Sequence, residues 1–308
     1  MLRSPLVLKS TPTDSPDTDA RYLSLALEQA RTPPFGSTYP NPPVGCVIVS
    51  PDTDTILGAG HHPVAGWPHA EVFALFEVAG CVESGESAAV DVASNKPNQI
   101  VTDLLTEYQE QGSNMFTDCA KDATAYVTLE PCCHYGRTPP CAASLLQAGV
   151  KRVVVGCRDP NPKVDGGGFK LLTDAGVEVE IVDDPGCADV ASNFLSRMNY
   201  IVAGQKLQSP PSEMGETLKT ARAMAGELKR TNEIKTLSLA KGKIYGPKFL
   251  EELDMLLWKN DFVVVRDAGI KNKEAKEFGR NIVEEMVGVR VVQCVGHTIT
   301  LYRPKQTQ

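Results

Sequence analysis

The stretch Tyr126-Val-Thr-Leu-Glu-Pro-Cys-Cys-His-Tyr-Gly-Arg-Thr-Pro-Pro-Cys141 orders the whole chain. Ala125 to Leu129 is a short apolar run, which predicts a buried strand. The strand stops at Glu130-Pro131, because proline has no N–H for a sheet ladder. Cys132 and Cys133 follow, and Cys141 opens a helical pattern from Ala142 to Ala148. Upstream, His69-Ala70-Glu71 opens a second apolar helix, Val72 to Val78. Two thiolates and one imidazole at the starts of two helices supply three metal ligands and leave a position open, as catalytic zinc requires.

Taken singly, His69 reads as a helix cap and Cys141 as a small buried hydrophobe. Taken together and in this order, His-x-Glu followed by Pro-Cys and a further Cys resembles the signature of zinc-dependent base deaminases. Zinc lowers the pKa of a bound water from ~16 to about 7. Glu71 then suits the general acid–base role, taking the proton from water and returning protons to a ring nitrogen and to departing ammonia. The Cys-x8-Cys spacing departs from the usual Cys-x2-Cys, so the extra residues form a loop beside the metal that is expected to carry substrate contacts. Cys133 reads as a packed neighbour, since three protein ligands already leave water its place. His61 and His62 read as loop residues, one of them bordering the pocket.

At 308 residues the chain has room for two modest domains. Its net charge of -7 gives no overall reason to expect nucleic acid or anionic membrane. The charge is uneven: residues 216–308 hold 17 Lys+Arg against 12 Asp+Glu, a net of +5, which leaves -12 for the rest. An acidic front and a basic back suggest two functions. Nine cysteines without framework spacing point to a reducing intracellular compartment. No apolar run approaches the roughly 18 residues of a membrane span. Residues 1–16 read as a disordered N-terminus or as the remnant of a transit peptide.

Ser15-Pro16 suits the start of a helix running to about Arg31. Strands are expected at Val44–Val49 and Thr55–Ala59, joined by a turn at Pro51-Asp52-Thr53-Asp54. After the two motif helices come a strand Arg152–Gly156, a helix Gly168–Ala175, a strand Val177–Val182 and a helix Cys187–Val202. Strand–helix alternation with apolar strands predicts an α/β layered domain over residues 17–205. Residues 81–122, rich in Ser, Asp, Glu, Asn and Gln, read as a surface insertion with one short helix over Ile100–Tyr108. Residues 206–216, with paired prolines, read as a linker. Residues 217–308 then run helix, strand, helix, strand, helix, strand, strand.

The loop narrows the family. Thr128 to Cys141 closely resembles the deaminase domain of the bifunctional riboflavin-biosynthesis deaminase/reductase. Tyr39-Pro-Asn-Pro-Pro-Val-Gly-Cys-Val-Ile-Val49, Gly58-Ala-Gly-His-His62 with Gly66-Trp-Pro-His-Ala-Glu71, and Asp159-Pro-Asn-Pro-Lys-Val-Asp-Gly166 resemble it too. The resemblance covers residues 20–205 apart from the insertion. It implies a cytidine-deaminase-like three-layer α/β/α fold with Zn2+ held by His69, Cys132 and Cys141. It also implies hydrolytic deamination of 2,5-diamino-6-ribosylamino-4(3H)-pyrimidinone 5′-phosphate to 5-amino-6-(5-phosphoribosylamino)uracil. Asn41 can read the pyrimidine edge, since an amide both donates and accepts. His134, Arg137 and Thr138 suit a phosphate, and Asp159 and Asn161 suit ribosyl hydroxyls. These asparagines and Asp159 also have a plain reading as turn residues beside proline. The family's reductase domain is not matched: about a hundred residues follow Val202, without a Gly-x-Gly-x-x-Gly after a strand. No reductase activity is expected, and a separate reductase is the pathway partner; self-association into a homo-oligomer is also expected.

The tail resembles the small RNA-binding domain of chloroplast RNA-splicing and ribosome-maturation proteins. The matching segments are Phe249 to Asp254, Phe262 to Arg266 and Val291 to Arg303. That family's Gly-x-x-Gly loop is here Lys241-Gly-Lys-Ile-Tyr-Gly-Pro247, one residue longer between its glycines. Lys241, Gly242, Lys243 and Lys248 can track a phosphate backbone. They can equally form a solvated basic loop on a domain kept for packing or assembly. Two other readings of the chain stand beside the riboflavin-pathway deaminase. One is a deaminase of another base or nucleotide, and the other an RNA-binding protein on an inactive deaminase scaffold.

Overall fold

The computed structural model describes residues 16–135, 138–161, 164, 166–206, 211–239, 245–267 and 272–303. Two compact units divide the chain. The first comprises Met1–Pro33, Pro43–Asp159 and Lys163–Asp189, and the second Pro34–Pro42, Pro160–Pro162 and Val190–Gln308.

The first unit begins with α1 (Pro16–Arg31), β1 (Gly45–Val49), β2 (Ile56–His61) and α2 (Ala70–Val78). It continues through α3 (Gly85–Ala93), α4 (Gln99–Gln111), a 3-10 turn (Gly112–Phe116), β3 (Thr124–Val127) and α5 (Cys141–Gln147). It closes with β4 (Arg152–Val155), α6 (Gly167–Asp174), β5 (Glu178–Ile181) and α7 (Pro185–Val190). The sheet order is β2-β1-β3-β4-β5, with β1 antiparallel to both β2 and β3 and the last three strands parallel. Four of the five strands therefore point the same way, and the carboxyl ends of β2, β3 and β4 share one edge of the sheet. Ligand sites in open α/β sheets lie beyond such ends.

Alternation along β1 sorts the layers. Val47 and Val49 pack with Tyr22 and Ala26 of α1, while the glycines of β2 face α2. At Gly60 a Cβ would lie 2.8 Å from Ala74 N and 2.9 Å from Ala70 O, so only glycine lets α2 lie this close to the sheet. Beneath α1 a buried charge pair joins helix to sheet. Arg152 donates from Nη1 to Asp19 Oδ1 at 2.7 Å and from Nη2 to Asp19 Oδ2 at 2.8 Å, and Tyr126 OH donates to Asp19 Oδ1 at 3.0 Å. Glu180 pairs with the same guanidinium from β5.

The second unit contains α8 (Ser192–Lys206), α9 (Pro211–Arg230), β6 (Lys235–Leu239), α10 (Pro247–Asn260), β7 (Phe262–Asp267), α11 (Asn272–Glu285), β8 (Arg290–Val295) and β9 (Thr298–Tyr302). Its sheet runs β6-β7-β9-β8, with β6 parallel to β7 and the other pairs antiparallel. Val263 and Val265 join Leu250, Leu253 and Leu257 of α10 and Ile282 of α11 in one core. Phe262 packs with Ala221 and Ala225 of α9 in another. Tyr39, from the segment 34–42, belongs to the first of these cores. Above it Arg197 donates from Nη1 to Asp254 Oδ2 at 2.8 Å and from Nη2 to Pro40 O at 2.6 Å, with its guanidinium 4.7 Å from the Tyr39 ring centre. Arg303 pairs with the other oxygen of Asp254 and lies 3.9 Å from the Trp258 ring centre.

Three sequence expectations are corrected. Residues 81–122 form two capped helices and a 3-10 turn. Ser84 accepts from Ser87 N and Asn98 from Val101 N, and Val101, Leu104, Leu105 and Tyr108 are buried along one face of α4. The polar composition lies on the outer face of these helices, which hid the apolar period. Within 206–216 the stretch from Pro211 is helix, because proline's fixed φ suits a first helical turn. The single helix expected over Cys187–Val202 is broken into α7 and α8.

Replacing Asp19 by Ala leaves the buried Arg152 paired only with the partly exposed Glu180 and Glu178, and is expected to cost about 1–3 kcal/mol in urea unfolding. Adding Arg152→Met should return part of that loss; equal midpoints for the Asp19 variant and the parent would refute the role given to this pair.

Candidate metal centre and active site

Each donor is placed by a chain reversal at the same sheet edge. His69 is the N-cap residue of α2, with φ -84° and ψ 175°. Cys132 follows the end of β3, and Cys141 is the first residue of α5, after Pro140 at its N-cap. The loop between the two cysteines is pinned at its neck, where Ala142 N donates to Cys132 O at 3.1 Å and Cys141 N to Cys132 Sγ at 3.4 Å. His69 Nδ1 lies 3.6 Å from Cys132 Sγ and 3.3 Å from Cys141 Sγ, and the three donor atoms all fall within 4.8 Å of one another. This is the one such cluster among the described residues.

The electrostatics fit a cation. The hydrogen bond with Cys141 is the main force pushing the Cys132 thiol down, to about 4. The same bond, with burial, drives the Cys141 thiol well above its usual range. The two sulfurs thus push each other's protonation apart, and a soft divalent cation would hold both as thiolates. Glu71 is 3 % exposed, in the first turn of α2. Burial pushes its carboxyl up to about 7. The carboxylate engages the Cys141 sulfur, while Oε2 has no hydrogen-bond partner among the described residues. A buried, unsatisfied carboxylate oxygen beside three metal donors is where a water or substrate proton would be received.

The remaining candidates divide. His134 and Thr138 are half-buried on the Cys132–Cys141 loop, and His134 Nδ1 has no partner among the described residues. Asp159 follows the end of β4, is 6 % exposed, and donates its backbone N–H to Glu130 Oε2 at 3.5 Å. Asn41 and Asn161 belong to the second unit, where Asn41 N donates to Thr38 O at 2.7 Å in a turn. Arg137, Lys241, Gly242 and Lys243 lie outside the described residues, and Lys248 is exposed in the first turn of α10. Cys133 Sγ donates to Val164 O at 3.9 Å, in the segment before α6.

His61, expected on a loop, is instead the last residue of β2, while His62 follows it in the loop as expected, and both are buried. His62 stands edge-on to His69, ring centres 5.0 Å apart, with Nδ1 3.1 Å from Pro68 O. Burial pushes His62 down to about 3, so it is a neutral ring on the wall of the centre. Its sequence signal was slight, one histidine of a pair ending a strand.

This fold and donor set define the zinc-binding cytidine-deaminase-like class. A family model described as "Cytidine and deoxycytidylate deaminase zinc-binding region" matches residues 16–157. The diaminohydroxyphosphoribosylamino-pyrimidine deaminase of Buchnera aphidicola subsp. Schizaphis graminum is 36% identical over 163 residues, 53% of this chain and 83% of that protein. The chain belongs to the family of these pyrimidine deaminases. The chloroplastic riboflavin biosynthesis protein PYRD of Arabidopsis thaliana is 41% identical over 181 residues, 58% of this chain and 33% of that protein. Among solved structures, form 1 of Acinetobacter baumannii RibD is 42% identical, covering 58% of this chain and 39% of that one, with a TM-score of 0.43. The chain spans only 33% and 43% of the length of PYRD and of the RibD of Haemophilus influenzae. No helix among the described residues is long and apolar enough to cross a membrane.

Changing Cys132 to Ser should remove bound zinc and lower the melting temperature, because the metal ties the end of β3 to two helices. A fully metallated Cys132→Ser protein that melts with the parent would refute the ligand assignment.

Proposed function

We propose that the chain hydrolytically deaminates 2,5-diamino-6-ribosylamino-4(3H)-pyrimidinone 5′-phosphate, releasing ammonia and the corresponding 5-aminouracil derivative. The observation that carries this reading is the unpartnered Oε2 of buried Glu71 beside His69, Cys132 and Cys141. Zinc held by those three side chains would supply Lewis-acid activation of water at neutral pH. Glu71 accepts a proton from the attacking water and delivers it to the ring nitrogen beside the amino-bearing carbon. The second water proton leaves with the amino group as ammonia, and the ring carbon becomes a carbonyl. His69 and Cys141, each at a helix start, hold that geometry while Glu71 moves the protons. His134, Arg137 and Thr138 suit the phosphate, Asn41 the pyrimidine edge, and Asp159 and Asn161 the ribosyl hydroxyls; the sequence resemblance to the family supports these roles.

Glu71→Gln is expected to keep about one zinc per chain and to release no ammonia from this substrate, a loss on the order of 10²-fold or more. Ammonia release by the variant at the parent's rate would eliminate Glu71 as the proton carrier. Zinc-loaded parent protein that leaves this substrate intact would redirect the reading to another base.

A second reading concerns the second unit. Its element order from α9 to β9 is helix, strand, helix, strand, helix, strand, strand, which supports the resemblance to the chloroplast RNA-splicing and ribosome-maturation domain. We infer RNA as its ligand, its phosphates tracked by Lys241, Gly242, Lys243 and Lys248. Affinity for an oligoribonucleotide should then fall with rising salt in proportion to the phosphates contacted. Absence of binding at low salt would leave the unit a packing or assembly module.

A further inference from the structure

Residues 81–122 are absorbed by neither reading, yet they grip both helices that begin at the metal donors. One anchor is Gly85 at the start of α3. A Cβ there would stand 2.1 Å from Phe73 O and 2.5 Å from Ala59 O, and its N–H donates to Glu77 Oε2 at 3.0 Å. The other anchor is aromatic. Tyr108 and Phe116, both fully buried, stand 5.8 Å and 5.5 Å from Phe76 of α2 and 5.7 Å from each other, between ring centres. Phe76 in turn meets Phe73 edge-on at 6.0 Å. His69 and Glu71 lie at the start of this same helix.

The grip on α5 is polar. Tyr108 OH and Ser144 Oγ share a hydrogen bond at 3.4 Å, and Ser144 Oγ lies 3.2 Å from Ser113 Oγ. Ser144 is fully buried, one helical turn beyond Cys141. At the far end of α5, Asp118 N donates to Gln147 O at 3.0 Å, Ala120 N to Ala148 O at 2.8 Å, and Gln147 Nε2 to Thr117 Oγ1 at 2.8 Å. Burial first, and then the charge of Cys141, push the Tyr108 phenol pKa up, so its hydroxyl stays a neutral dipole.

We propose that the segment 81–122 is a brace for the metal centre, and that Tyr108 is its positioning residue. Through Ser144 its hydroxyl sets the first turn of α5, and so the place of the Cys141 sulfur relative to His69. The rings of Tyr108 and Phe116 fix α2 against the same support. Groups behind metal ligands typically change metal affinity or activity 10- to 100-fold when removed. The inference rests on the metal-site reading and not on the identity of the substrate.

The test uses the full chain. Tyr108→Phe keeps the ring and removes only the oxygen, and Ser144→Ala removes the other partner. Zinc transfer to a coloured chelator, the visible spectrum of the cobalt-loaded protein and the melting temperature of the metal-free protein are compared with the parent. Tyr108→Phe is expected to release zinc about tenfold faster and to alter the cobalt spectrum. The metal-free melting temperature should barely move, and Ser144→Ala should share the phenotype. Parent-like zinc release and cobalt spectrum in Tyr108→Phe would overturn the proposal. So would a Tyr108→Ala protein that melts earlier but keeps the parent's cobalt spectrum, since the ring would then serve packing alone. A parent chain that takes up neither metal would overturn it as well. A zinc-loaded parent that fails to deaminate the pyrimidine would sink the substrate assignment and leave the brace standing.

Discussion

Two sulfurs and an imidazole meet within 4.8 Å at one edge of a mixed sheet, with Cys141 fully buried. Left to themselves the two sulfurs push each other's protonation in opposite directions, because two adjacent thiolates repel. A divalent cation resolves this conflict, and most of the first unit's construction follows from the need to bring the three donors together. The carboxyl ends of β2, β3 and β4 deliver their loops to one edge because four strands run in one direction. Helix starts supply two of the donors because a first turn fixes its residues with little freedom. Glycine in β2 lets the His69 helix lie close against the sheet.

Around the donors the structure is asymmetric. On one side stands the Glu71 carboxylate, buried and with one oxygen unpartnered among the described residues. His62, a neutral wall, stands edge-on to His69. On another side lie the aromatic rings and hydroxyls of residues 81–122. Such support costs little desolvation and holds position by packing.

The second unit solves a different problem. Asp254 is fully buried and takes two arginines, one of which also donates to the backbone at Pro40 and covers Tyr39. A buried carboxylate with a single guanidinium would remain partly unsatisfied; here the fork of Arg197 and the pairing with Arg303 leave it fully engaged. Segment 34–42 is thus a built part of this unit's core, although about 150 residues of the other unit's chain separate it from Val190.

The sequence by itself picked out His69, Cys132 and Cys141, whose donor atoms the fold brings together. That depended on local signals: His69 and Cys141 at helix starts, Cys132 after a proline-terminated strand, and Glu71 two residues beyond His69 in the first turn of the same helix. It also determined the α/β alternation, since a helical or strand period is written within a few residues. What only the tertiary structure decided was which distant surfaces close on one another. Tyr108 ends the short helix expected over Ile100–Tyr108, but only packing sets it against Phe76 and Ser144. Tyr39 opens a motif stretch, but only the fold places it under Arg197, more than 150 positions away. The burial of His61 and His62 is of the same kind. Side-chain period records which face of an element is apolar, but not what that face will meet; that is settled only when whole layers pack.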